Sequence, residues 1–152
     1  MIGTVRLFNE ATDTREQFVE IWNEYYGTTL FTVNHFARFN PGNVIIIDDD
    51  AGGFAGFAIL LDGGLPYAVL DQLYIRPRHR RFATLRRVFQ FVEHLCQTRG
   101  IGWFYGLLDQ AGHESERFVD QLHRRAAWKA QYMGEKPMFV KHVPPRPPTI
   151  PA

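Results

Sequence analysis

Cysteine is nearly absent from this chain. Among 152 residues only Cys96 carries a thiol, which excludes an internal disulfide and any Cys-rich zinc ribbon. Net charge is equally scant: 17 Lys and Arg oppose 16 Asp and Glu, leaving +1. Global charge therefore points to neither a nucleic acid nor a membrane as partner. Long apolar runs are missing, the longest being about half of the roughly 20 residues that a bilayer crossing requires. The first residues, MIGTVRLFNEATD, lack the basic-then-apolar layout of a signal peptide, so the default expectation is a soluble cytoplasmic protein. No internal repeat is visible.

What is present is an ordinary globular composition, 45% hydrophobic and 22% charged, which excludes intrinsic disorder for the bulk of the chain. The length predicts one domain that folds without staples. We place it at residues 1–142. Residues 143–152, VPPRPPTIPA, hold five of the nine prolines and read as an extended tail. A spacer or a strap on the domain explains such a segment, and a Pro-rich ligand for an aromatic groove is the sharper alternative.

Periodicity and turn chemistry set the elements. A first strand covers Thr4–Leu7. Thr14 is an N-cap candidate, and Phe18, Ile21, Trp22 and Tyr25 recur at helical spacing, predicting a helix over Arg15–Tyr26 ended by Gly27. A second short helix is expected over Thr32–Phe39, before the turn Asn40-Pro41-Gly42. Val44–Asp48 and Phe54–Leu61 read as an antiparallel hairpin around Asp48-Asp49-Asp50-Ala51-Gly52-Gly53. The three aspartates invite a metal reading, but a solvated hairpin tip is the expected one. Tyr67–Ile75 is the next strand. From Phe82 to Cys96 the apolar residues form one stripe, with Arg86, Arg87, Gln90 and Glu93 opposite, predicting a long helix ended by Gly100. Trp103–Leu108 reads as a strand, Ser115–Arg125 as a helix, and Ala127–Met133 with Met138–His142 as a last hairpin. The order β-α-α-β-β-β-α-β-α-β-β predicts an α/β (α+β) fold. Its sheet is mixed and mostly antiparallel, with one parallel pair across the central helix.

The chemistry concentrates in Leu73-Tyr74-Ile75-Arg76-Pro77-Arg78-His79-Arg80-Arg81-Phe82-Ala83-Thr84-Leu85-Arg86. This is a strand, a basic loop and a helix start. Backbone N–H groups at a helix start and arginines beside them suit a phosphate or pyrophosphate over Arg80–Arg86. Residues 76–99 hold seven arginines against one acid, Glu93, so contact with nucleic-acid phosphates is a rival reading. No aromatic stacking series accompanies the patch, which disfavours it. His35, His79, His94, His113 and His142 show no paired metal-ligand spacing with each other or with Cys96, so no metal is expected. Cys96 lies on the apolar stripe and reads as core.

The segment LYIRPRHRRFATLRRVF resembles the fourth strand, loop and third helix of the GNAT N-acetyltransferase superfamily, and Leu122–Trp128 resembles that family's Phe-Tyr-Glu-Lys-x-Gly-Phe segment. Arg80 matches the leading Arg/Gln of the family's Arg/Gln-x-x-Gly-x-Gly/Ala motif. Ala83 and Leu85 replace its two small residues, His123 stands at the usual tyrosine and Glu116 at the usual asparagine. The resemblance implies acetyl-CoA as cofactor and transfer of its acetyl group to a primary amine of a small molecule or protein, by direct attack in a ternary complex. It implies that the amides of Leu73, Tyr74 and Ile75 line the pantetheine arm. Arg80, Arg81, Phe82, Ala83, Thr84, Leu85, Arg86 and Glu116 would bind the rest of the cofactor. Asp71 is the implied base. His123 is the implied proton donor to the leaving thiolate, since an imidazole can replace a phenol there. The acceptor cleft is implied to involve Tyr25, Tyr26, Phe31, Asn34, His35 and Tyr132. Its aromatics suit a neutral or cationic amine. A homodimer is compatible with this reading. Rival readings are a GNAT-fold protein without catalysis that serves in binding or structure, and a nucleic-acid-binding module.

Overall fold

Local chemistry fixes the first helix. In the computed structural model, which describes residues 2–62, 66–107, 129–133 and 136–145, helix α1 spans Arg15–Tyr26. The Thr14 hydroxyl accepts from the Gln17 N–H, and the Gln17 side chain accepts from the Thr14 N–H, a reciprocal capping box. Gly27 ends the helix at φ 63°, in the left-handed region where a side chain is strained. The second helix is shorter than expected: α2 covers only Val33–Phe36. Beyond it the N–H groups of Arg38 and Phe39 bond three residues back, so the chain tightens into a turn. The Asn40 side chain then caps the 3-10 turn Pro41–Asn43.

Among the described residues the strands are β1 (Ile2–Leu7), β2 (Val44–Asp49), β3 (Phe54–Asp62), β4 (Tyr67–Ile75), β5 (Trp103–Leu107), β6 (Lys129–Met133) and β7 (Lys136–His142). Helix α3, Phe82–Arg99, lies between β4 and β5 in sequence. The strand order is β1-β2-β3-β4-β5-β7-β6. β4 and β5 are parallel, as a crossover through a helix requires, and the registered pairs β1/β2, β2/β3, β5/β7 and β6/β7 are antiparallel. β7 starts at Lys136, earlier than the expected Met138. Its register with β5 reaches only Leu107↔Met138, so Pro137 and its missing N–H fall outside that ladder. The expected helix Ser115–Arg125 lies outside the described residues.

The chain forms two compact units, residues 1–60 with 72–91, and residues 61–71 with 92–152; β4 and α3 each run from one unit into the other. The core of the first unit gathers Phe8, Phe18, Ile21, Phe36, Val44, Ile46, Phe54, Phe57, Ile59 and Tyr74. β2 is buried on both faces, which explains the unbroken Val44-Ile45-Ile46-Ile47 run. In the second unit Ala68, Leu70, Val92, Leu95, Cys96, Ile101, Phe104 and Val143 are buried. Burial pushes the Cys96 thiol up to about 11, consistent with a core role.

The solvated-tip reading holds for Asp50, which is exposed, and is corrected for Asp48 and Asp49. Asp48 accepts from Arg6 (Nε, 2.7 Å) and from the Thr4 hydroxyl (2.6 Å), and Asp49 is buried. Arg6 also holds Asp13 through two bonds of 2.6 and 2.8 Å. Burial works against the Asp13 charge, but the Arg6 and Asn9 hydrogen bonds outweigh it and hold the carboxyl below its usual range. Among the described residues no cluster of three or more His, Cys, Asp or Glu could hold a metal, and no helix is long and apolar enough to cross a membrane.

Candidate functional site

β4 changes character along its length. Ala68 and Leu70 are buried while Asp71 is exposed, and at the far end Tyr74 and Ile75 are both buried. The close approach of β3 explains this end. A Cβ on Gly56 would lie 2.3 Å from the Tyr74 carbonyl oxygen and 3.1 Å from the Ile75 Cα. The Arg76 N–H then donates to the Ala55 carbonyl (2.8 Å), and its guanidinium donates to the Phe54 carbonyl (2.6 Å). The same guanidinium pairs with Glu24 on α1 (2.9 Å), which also accepts from the Tyr74 hydroxyl (2.9 Å). Burial opposes the Glu24 charge, yet Arg76 and Tyr74 together hold its carboxyl below the usual range. Burial, aided by Glu24, raises the Tyr74 phenol.

Past β4 the chain makes a tight turn. Pro77–His79 is a 3-10 turn in which the His79 N–H donates to the Arg76 carbonyl (2.9 Å). Arg80 folds back, its Nε donating to the Ile75 carbonyl (2.7 Å) while its guanidinium sits 5.6 Å from the centre of the Tyr74 ring. The Leu85 N–H donates to the Arg81 carbonyl, so Arg81 is the residue from which α3 springs.

The basic run therefore divides. Arg76 and Arg78 pair with Glu24 and Asp49, Arg99 faces Asp62, Arg80 holds Ile75, and Arg87 donates to the Gly3 carbonyl. Arg81 and Arg86 are exposed and make no ion pair or side-chain hydrogen bond among the described residues. Two unpaired guanidiniums at a helix start form a donor set that fits an anion such as a pyrophosphate. Ala83 beside them is exposed, Leu85 is half-buried and Thr84 is buried. Three of the seven arginines, Arg76, Arg78 and Arg99, already face carboxylates, which weakens the nucleic-acid reading, while Arg80 and Arg87 donate to neutral carbonyls.

The expected acceptor residues separate into groups. Tyr25 packs 5.1 Å from Tyr74, and the Tyr26 hydroxyl donates to the Gln72 side chain (2.8 Å), so both α1 tyrosines meet β4. Phe31 stacks on Trp22 (4.7 Å) and on His35 (5.5 Å), whose Nδ1 accepts from the Thr32 N–H. Asn34 is exposed on α2. Tyr132 lies on β6, opposite Pro137 of β7. His123 and Glu116 lie outside the described residues. Reading the sequence missed the roles of Glu24, Gln72 and Asp49: Glu24 lies 50 positions from Tyr74, Gln72 46 from Tyr26, and Asp49 30 from His79, so no local motif marks these links. An open groove of about 590 Å³ runs beside the end of α1, lined by Glu20, Asn23, Glu24, Gly27, Thr28, Thr29 and Leu30. Of its two carboxylates, Glu24 is already paired with Arg76 (2.9 Å) and accepts from Tyr74, so its charge is answered within the fold.

No protein-family model matches this sequence, and no curated protein resembles it in sequence. Solved structures do resemble it in fold. The diaminobutyrate acetyltransferase of Paenibacillus lautus, solved with L-2,4-diaminobutyric acid and coenzyme A, superposes with a TM-score of 0.67 at 13% identity, over 94% of this chain and 95% of that one. The ribosomal-protein-alanine N-acetyltransferase of Brucella melitensis gives 0.67 at 15% identity, over 92% and 99%. A GNAT-family acetyltransferase of Staphylococcus aureus gives 0.63 at 9%, over 95% and 100%. At these identities the likeness is one of architecture, and the chain has the fold of the GNAT acetyltransferases.

Proposed function

We propose that this chain is an acyl-CoA-dependent N-acyltransferase that moves an acetyl group from acetyl-CoA to a primary amine of a small molecule or protein. The observation that carries this reading is the pair of exposed guanidiniums, Arg81 and Arg86, without a partner among the described residues, at the start of the helix that follows β4 in a GNAT fold. Bound acetyl-CoA supplies the activated thioester. The chain's part is to hold it and to handle protons. The amides of Leu73, Tyr74 and Ile75 flank the pantetheine arm, and Arg81 through Arg86 receive the pyrophosphate. Asp71 takes the proton of the acceptor ammonium, and His123 holds the proton returned to sulfur. Leu85 in place of a small residue supports the second reading, a GNAT-fold protein that does not catalyse.

The two readings separate in a melting experiment with CoA and acetyl-CoA. A ligand that binds only the folded state stabilises by about 2.7 kcal/mol at a hundredfold excess over Kd. At ~2–4 °C per kcal/mol for a domain of this size, the expected rise in Tm is about 5–10 °C. An unchanged Tm at millimolar CoA overturns the acyltransferase reading.

Arg81→Glu locates the phosphates. The side chain is exposed and has no partner among the described residues, so the substitution should change stability by less than about 0.5 kcal/mol. Loss of a charge-assisted bond, with repulsion added, should weaken CoA binding by roughly 10- to 100-fold. Calorimetric titration of the two proteins checks this, and equal affinities would place the pyrophosphate elsewhere.

A further inference from the structure

The buried pair Asp49 and His79 joins two parts of the fold that the proposed chemistry leaves unused. Asp49 closes β2, thirty residues before His79, and both are buried, at 7% exposure each. The two carboxylate oxygens of Asp49 divide their work. Oδ1 accepts from the Ala51 N–H (2.8 Å) and shapes the β2–β3 hairpin. Oδ2 is turned to the loop after β4, where it meets His79 Nε2 (3.0 Å) and Arg78 Nη2 (2.6 Å). The Ala51 N–H is the foremost of the contacts that hold this carboxyl well below the usual carboxylate range, so it faces the loop as an anion.

His79 Nε2 also lies 3.0 Å from Arg78 Nε, and one ring nitrogen cannot both accept there and donate to Asp49. A lone pair aimed at a carboxylate oxygen 3.0 Å away is repulsive, so we assign the proton to Nε2, donating to Asp49, and leave Arg78 to meet the carboxylate through Nη2. Of the two loop contacts, the His79 bond matters more. Arg78 is 67% exposed, and a solvent-screened ion pair contributes little. A buried bond is costly to break, because both groups lose their partner away from water.

Backbone bonds extend the linkage. The His79 carbonyl accepts from the Arg81 N–H (3.0 Å), and the Arg81 carbonyl accepts from the Leu85 N–H (3.2 Å), the first bond of α3. The path runs from the Asp49 carboxylate through the His79 ring and carbonyl to Arg81 and the opening turn of the helix.

We propose that Asp49 and His79 are positioning residues for the anion-binding turn at Arg81–Arg86, an inference that rests on the acetyl-CoA reading above. Neither touches the cofactor; both fix where the Arg81 amide and guanidinium stand. His79→Phe keeps a ring of similar shape in the buried place and removes the bond to Asp49. His79→Gln puts an amide N–H near the position of Nε2. Titration with CoA should show His79→Phe binding about tenfold or more weakly and His79→Gln within roughly threefold of the wild type, since small misplacements of positioned groups carry large costs. The KM for acetyl-CoA should rise in step, with kcat at saturation changed by less than about twofold, because the reacting atoms are untouched.

Amide hydrogen exchange supplies a readout that needs no ligand. Exchange at Arg81 should quicken in His79→Phe while Gly52 in the hairpin stays as in the wild type. If His79→Phe does not fold, Asp49→Asn takes its place, since it can keep the acceptor for Ala51 and removes the anion facing the loop. It should show the same loss. A folded variant with lowered Tm but unchanged CoA affinity and unchanged Arg81 exchange overturns the proposal and leaves the pair purely structural. A wild-type chain that ignores CoA overturns the acetyl-CoA reading instead, and a quickened Arg81 amide in His79→Phe then still upholds the linkage.

Discussion

Gly56→Ala is expected to cost about 3 kcal/mol or more, beyond most overpacking substitutions. The position has an ordinary strand conformation, so the cost does not come from φ. It comes from space: the new Cβ would stand 2.3 Å from the Tyr74 carbonyl oxygen and 3.1 Å from the Ile75 Cα. Both obstacles are backbone, which cannot swing aside as a side chain can. On the other side the strand is already registered, with Ile47 opposite Gly56 and Ile46 opposite Phe57. Relief therefore requires β4 to move at Tyr74–Ile75. A drop in Tm of about 10 °C is the expected result by thermal melting. Tyr74 and Ile75 belong to the segment proposed to flank the pantetheine arm, so CoA affinity should fall about tenfold in whatever fraction folds. A variant that melts with the wild type would mean that β3 and β4 are not so closely apposed.

Phe18→Ala is expected to cost about 3–5 kcal/mol. Phe18 is fully buried on α1. Its ring centre lies 4.8 Å from that of Phe36, 5.1 Å from Phe57, and 5.8 Å from Trp22. Removal opens a hole among rings that are themselves held by β2 and β3, so little collapse can fill it. The loss should pass to the α1–α2 region, where Tyr25, Tyr26 and Phe31 stand as acceptor candidates, and raise the KM for the amine more than that for acetyl-CoA. Denaturant melting with two-substrate kinetics checks both parts. A loss of stability below about 1 kcal/mol would show that the cluster repacks around the gap.

What was legible in the sequence follows the range of the interaction that fixes each part. α1 runs from Arg15 to Tyr26 as read, because Thr14, Gln17 and Gly27 act within four residues of its ends. β4 likewise matched, bounded by turn residues and a proline. Asp48 and Asp49 were misjudged because their partners are distant: Arg6 is 42 positions from Asp48, and His79 is 30 from Asp49. The same holds for the basic loop. Composition reported seven arginines in one stretch, but only folding shows that Arg76, Arg78, Arg80, Arg87 and Arg99 bond groups of the protein itself and that, among the described residues, the Arg81 and Arg86 side chains do not. The basic strand–loop–helix segment was visible as a motif; its supports, Glu24 and Asp49, were not, because a lone carboxylate in a sequence carries no address.

The lone thiol of α3 has a practical consequence. Cys96 is wholly buried and its thiolate is disfavoured by that burial, so reagents that need an exposed, ionised sulfur meet it only when the helix opens. With no second cysteine to compete, the rate of its labelling is a stopwatch for that opening. A single colorimetric trace would then time how ligands and substitutions tighten or loosen the native chain, without any engineered probe.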